Sequence, residues 1–135
     1  MEQSKVAIII NNSSFDMVSY ALTVASTSAA HLKEVHVLFT YGEVRRLVKD
    51  KADEIGEETD EWIRKRIKLG IEKGYMKKIS DVMNYLKGFG GKIYACSAAI
   101  AFHKIAINDL GEMVDEVRGI SSFLEKTDGA TMLYV

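Results

Sequence analysis

Cys96 is the strongest nucleophile in this sequence and the chain's one cysteine, set in Gly91-Lys92-Ile93-Tyr94-Ala95-Cys96-Ser97-Ala98-Ala99. A short apolar run here gives way to small residues. If the run is a strand and the small residues open a helix, free N–H groups and the positive end of the helix dipole face the sulfur. That arrangement favours the thiolate, the form that attacks or holds transferred sulfur. A buried cysteine acting as a small apolar side chain accounts for the same position. On the residues alone both readings stay open.

Other chemistry finds less support. His103 lies seven residues beyond Cys96; on a helix rising about 1.5 Å per residue the two stand about 10 Å apart, too far for a local dyad. His31 and His36 lack metal-ligand spacing, and all three histidines are expected at the surface or at helix ends. No GxGxxG or GxxxxGK[ST] motif occurs, and Gly88-Phe89-Gly90-Gly91 precedes a strand where a phosphate loop should follow one. Asn11-Asn12-Ser13-Ser14 suits an anion at a helix N-terminus, and serves equally as a plain helix cap. The acidic residues from Asp53 to Glu61 have no calcium-loop spacing and read as a solvated helix start. The lysines from Lys65 to Lys78 read as a solvated face.

The elements that must position these groups alternate. Val6-Ala7-Ile8-Ile9-Ile10 and Val35-His36-Val37-Leu38-Phe39 read as strands buried on both faces, and Phe15 to about Ala30 as the helix between them. That is a βαβ unit, with parallel strands and a right-handed crossover. From about residue 43 to 88 the sequence reads as a charged helical excursion, ending in a stripe from Tyr75 to Leu86. Lys92–Ala95 is a third strand, Ser97 to Phe102 a short helix and Met113 to Val117 a weak fourth strand. Ile120, Phe123 and Leu124 belong to a last helix, and Ala130 to Val135 is a final strand. Strands alternating with helices predict an α/β domain on a parallel sheet. In such sheets ligands gather beyond the carboxyl ends of the strands, which here means Asn11–Ser14, Thr40-Tyr41-Gly42 and Cys96.

Composition bounds the rest. A chain of 135 residues fits one domain, and 47% hydrophobic with 27% charged residues is enough apolar material for a core. A formal net charge of −1 gives no general pull toward nucleic acid or acidic lipid. One cysteine excludes an internal disulfide, a four-cysteine zinc site and a CxxC redox pair. Met1-Glu2-Gln3-Ser4-Lys5 is polar and lacks the pattern of a signal peptide. No apolar run approaches the ~20 residues of a membrane span, so a cytoplasmic location is expected.

The segments Lys5–Ile10, Val35–Phe39 with Thr40, Gly91 to Ser97 and Ala130 to Val135 together resemble the DsrE/DsrF-like sulfur-transfer proteins. That family includes DsrE/F/H and TusBCD-related members and a branch labelled peroxiredoxin-like. Its pattern around the cysteine is a glycine, a short apolar strand, then Ala-Cys and a small or hydroxylic residue. The order and spacing of these segments carry the resemblance over nearly the whole chain. It implies a flavodoxin-like three-layer sandwich with a mainly parallel five-stranded sheet, assembled as a homotrimer or hexamer. It also implies that Cys96 carries a persulfide or thiosulfonate between partners such as TusA-like carriers, rhodanese-like enzymes or heterodisulfide-reductase-like complexes. Two features depart from the family: His103-Lys104 stand before Ile105 where relatives often have a glycine, and no further cysteine is present. One cysteine suits a relay in which each transfer is an exchange with another protein's sulfur.

The expectation is therefore a sulfur carrier or sulfurtransferase on Cys96, with Ser97 and Ala98 supplying N–H groups and Asn12 and Tyr41 lining the cleft. That chemistry needs no metal and no organic cofactor. Peroxidase chemistry lacks its proline- and threonine-bearing pattern around Cys96. The competing expectation is a non-catalytic module that assembles or binds a small molecule, with a structural cysteine.

Overall fold

The computed structural model describes residues 3–135. Strands β1 (Lys5–Ile10), β2 (Glu34–Phe39), β3 (Lys92–Cys96), β4 (Glu116–Arg118) and β5 (Thr131–Tyr134) form one sheet in the order β4-β3-β2-β1-β5. Every neighbouring pair is parallel. Helices α1 (Phe15–Ala30), α2 (Glu61–Glu72), α3 (Ile79–Gly88), α4 (Ser97–Phe102) and α5 (Ile120–Lys126) connect the strands, giving a three-layer α/β fold.

Continuous apolar runs make the central strands, because a parallel sheet is covered on both faces. Val37 stands opposite Ile8 and Ile93, and all three are fully buried. Above that face lies α1, whose buried Ala21, Ala25 and Ala29 let its backbone approach the strands. Next to α1 packs α3, with Ile79, Val82, Met83 and Leu86 buried. Each large side chain so buried contributes about 1.5–3 kcal/mol. Gly91 begins the turn into β3 in a space with no room for a side chain. A Cβ there would overlap the Leu86 side chain and lie 3.0 Å from the Leu86 carbonyl oxygen.

The opposite face of the sheet is covered around Tyr94 by α5. Phe123, fully buried, meets the Tyr94 ring edge-on at 5.6 Å between centroids. Residue His36 belongs to this face too, which corrects the expected surface position. It is 4% exposed, held between the Tyr94 hydroxyl at 2.7 Å and the Glu34 carboxylate at 2.9 Å. One partner on the neighbouring strand β3 and one on β2 itself satisfy the ring nitrogens that burial would otherwise strand.

The excursion from residue 43 to 88 is less helical than expected. It opens as a 3-10 helix over Tyr41–Leu47, and α2 starts only at Glu61. Between them the chain is irregular and held by polar links. Asp53 caps α3 by accepting from the Ser80 backbone N–H and hydroxyl at 2.8 and 2.6 Å. Thr59, fully buried, accepts from the Phe15 N–H at the start of α1 at 2.9 Å. The acidic stretch is therefore a capping loop rather than a helix start. Tyr75, expected on the apolar stripe, precedes α3 and is exposed. The fourth strand is Glu116–Arg118, later than the expected Met113 to Val117.

Candidate functional site at the carboxyl ends of the strands

β1, β2 and β3 end at Ile10, Phe39 and Cys96, so the segments that follow them lie along one edge of the sheet. Cys96 is both the last residue of β3 and the N-cap residue of α4, with extended backbone angles (φ −68°, ψ 122°). Its side chain caps no helix N–H, and the residue is 6% exposed. Ser97 and Ala98 follow it on the exposed first turn of α4. That helix is six residues long, so it offers a smaller dipole than a full-length helix.

Arg118 is the residue that reading the sequence missed. Cys96 stands opposite Arg118 in the β3–β4 register, and neighbouring strands lie about 4.8 Å apart with paired side chains on one face. The guanidinium is fixed in three ways. Its Nε donates to Glu116 at 2.6 Å, its Nη1 donates to the Ser122 hydroxyl at 2.6 Å, and its carbon sits 5.9 Å from the Tyr94 ring centroid. A three-residue strand with charged ends has no periodic signal, so neither the strand's end nor its arginine was legible.

Asn12 and Tyr41 stand at the same edge without touching one another through any hydrogen bond. The Asn12 side-chain Oδ1 accepts from the Ser14 N–H at 2.9 Å, a turn that leads into α1. Tyr41 is 65% exposed and has a left-handed backbone (φ +46°), which an aromatic residue adopts at a cost. A cavity of about 350 Å³ opens beside them, lined by Ser13, Gly42, Arg45, Arg46 and His103 among others. Cys96, Asn12 and Tyr41 do not line it.

The cavity wall holds a buried ion pair, Glu43 with Arg46, on consecutive turns of the 3-10 helix. Arg46 also donates to the carbonyls of Ala52 at 2.9 Å and Glu54 at 2.8 Å, tying the irregular loop to the sheet edge. Glu43 is 2% exposed, and burial pushes its carboxyl up to about 7 against the opposing pull of Arg46. A charged pair three residues apart reads by default as a solvated surface pair, so its burial is not legible in the residues alone. Beyond it, Arg45 donates to Glu58 at 2.5 Å and holds that carboxyl below its ordinary range.

Among the described residues no helix is long and apolar enough to cross a membrane, and no three histidine, cysteine, aspartate or glutamate side chains group as a metal site.

No family model matches the chain, and no curated protein matches it. Solved structures do. MTH1491, a protein of unknown function from Methanobacterium thermoautotrophicum, aligns with TM-score 0.67 at 18% identity, over 98% of this chain and 100% of that one. The ychN protein from E. coli aligns with TM-score 0.64 at 13% identity, over 99% and 100%. BT1422, a conserved protein of unknown function from Bacteroides thetaiotaomicron, aligns with TM-score 0.59 at 14% identity, over 98% and 95%. At such identities these likenesses establish a common fold: the chain is a three-layer α/β protein built on a five-stranded parallel sheet.

Proposed function

We propose that this protein is a sulfur carrier of the DsrE/DsrF-like kind, loading a sulfane sulfur on Cys96 and passing it to a second protein. The observation that carries this reading is the juxtaposition of the chain's one thiol with Arg118 at the carboxyl edge of the sheet. A guanidinium on the same face is a counter-charge for an anionic sulfur, whether persulfide or thiosulfonate. Loading from a protein persulfide balances as one exchange. The Cys96 thiolate attacks the donor's outer sulfur, a new S–S bond forms, the donor's S–S bond breaks, and the donor departs as its thiolate. No electrons enter or leave the pair. Delivery is the same step in reverse order with an acceptor thiol. Small TusA-like carriers and rhodanese-like enzymes have the chemistry to stand on either side, and the low exposure of Cys96 shields the loaded sulfur between encounters.

That same low exposure favours a second reading. At 6% exposed, Cys96 also fits a structural role as a small apolar side chain in a binding or assembly module. A transfer assay separates the two. A rhodanese-like donor carrying labelled persulfide is mixed with the reduced protein, and the label is followed to a tryptic peptide. Label on Cys96 that vanishes in Cys96→Ser and in protein treated with dithiothreitol supports the carrier. Absence of label from wild-type protein, with donor still loaded, supports the structural cysteine.

A further inference from the structure

At the other end of the sheet, near the amino ends of β1, β2 and β3, lies a cavity of about 570 Å³. Four lysines line it, Lys5, Lys33, Lys92 and Lys126, against one carboxylate, Glu34. They come from four separate stretches of a chain whose formal net charge is −1. The fold thus brings four positive charges to one cavity.

The Glu34 carboxyl, held below its ordinary range first by His36 and then by Lys5 and Lys126, is the one acidic group these four lysines share. Among the described residues, Lys33, Lys92 and Lys126 make no ion pair, and Lys5 reaches Glu34 only at 3.9 Å. Glu34 is already engaged by His36 at 2.9 Å. Lys87 is the contrast: it donates to the Gly91 carbonyl at 3.2 Å and pairs with Asp115. Phe89, 55% exposed, forms part of the cavity wall, and Gly90 beside it takes a left-handed turn (φ +88°).

From this convergence we infer that the cavity is a binding site for a small polyanion, a ligand with two or more phosphate groups and a planar ring that lies on Phe89. Its volume is in the range that small-ligand sites occupy, about 300–1,000 Å³. Lysine ammoniums bind phosphate as point charges, and several together outmatch the competition of salt for a multiply charged ligand. An exposed aromatic face accepts a ring by stacking. The inference is independent of the role of Cys96.

Calorimetric titration at about 0.15 M salt, near the ionic strength of cells, tests it with ATP, inorganic tripolyphosphate and adenosine as probes. ATP and tripolyphosphate should bind at one saturable site and adenosine should not. The double variant Lys92→Glu/Lys126→Glu should weaken both at least tenfold, while Lys65→Glu on α2 should leave both unchanged. Phe89→Ala should weaken ATP severalfold and spare tripolyphosphate. All four residues are exposed, and circular dichroism checks that each variant keeps its fold. Absence of saturable binding at millimolar probe, wild-type binding by the double variant, or equal loss in Lys65→Glu would overturn the site. Unchanged ATP binding in Phe89→Ala would overturn the ring's place in it.

Discussion

At the carboxyl ends of the strands Arg45, Arg46 and Arg118 are each matched by a carboxylate, whereas at the amino ends Lys33, Lys92 and Lys126 have none among the described residues. The two ends therefore treat charge in opposite ways. At the carboxyl ends the cations are planar guanidiniums pinned by two or more partners, Arg118 among them standing opposite the buried thiol of Cys96. Around the lysine cavity the cations are flexible ammoniums facing water. A pinned, sheltered edge holds geometry, as a covalent exchange requires. An open edge of mobile charge recognises a ligand by its charge and tolerates variation in its shape.

The largest expected effect tests whether the two ends act separately. Cys96→Ser should abolish reducible sulfur loading and leave titration of tripolyphosphate unchanged, while Lys92→Glu/Lys126→Glu should do the reverse. Loss of both activities in either variant would mean the ends are coupled. Next in size is Phe123→Ala, which empties the packing over Tyr94, the ring beneath both Arg118 and His36. It should cost about 3–5 kcal/mol, read as a fall in the urea midpoint.

Glu43 gives the carboxyl end a pH signature. Its carboxyl is raised from 4.5 to about 7 in the folded protein, so the folded state holds the proton more tightly than the unfolded chain. That contribution to stability is fully present below about pH 4.5 and is lost as pH rises through about 7, with a size on the order of 3 kcal/mol. Glu43→Gln should flatten this part of the stability–pH curve. An unchanged slope between pH 5 and 8 would remove Glu43 as its source. Smallest is Arg45→Ala, which breaks a largely exposed pair with Glu58 and should move stability by less than about 1 kcal/mol.

The central strands were legible because buried parallel strands are unbroken apolar runs, as in Val6 to Ile10. So was Cys96's place, since β3 ends where small residues begin. Other features were not. Phe15 is joined to Thr59, and Ser80 to Asp53, so the caps of α1 and α3 come from a distant loop and no local pattern announces them. His36 finds its partner Tyr94 58 residues away, which turned an expected surface ring into a buried one. The lysine cavity is assembled from residues 5, 33, 92 and 126, and in the sequence each is an ordinary solvated lysine.

The most direct test of the sulfur-carrier reading is the intact mass of reduced protein after incubation with polysulfide or tetrathionate, alongside native labelling with iodoacetamide. A single adduct on Cys96, reversed by dithiothreitol, is the expected result, and its mass identifies sulfane sulfur or thiosulfonate. An unmodified protein whose Cys96 also resists iodoacetamide until unfolded would contradict the carrier reading and leave a structural cysteine.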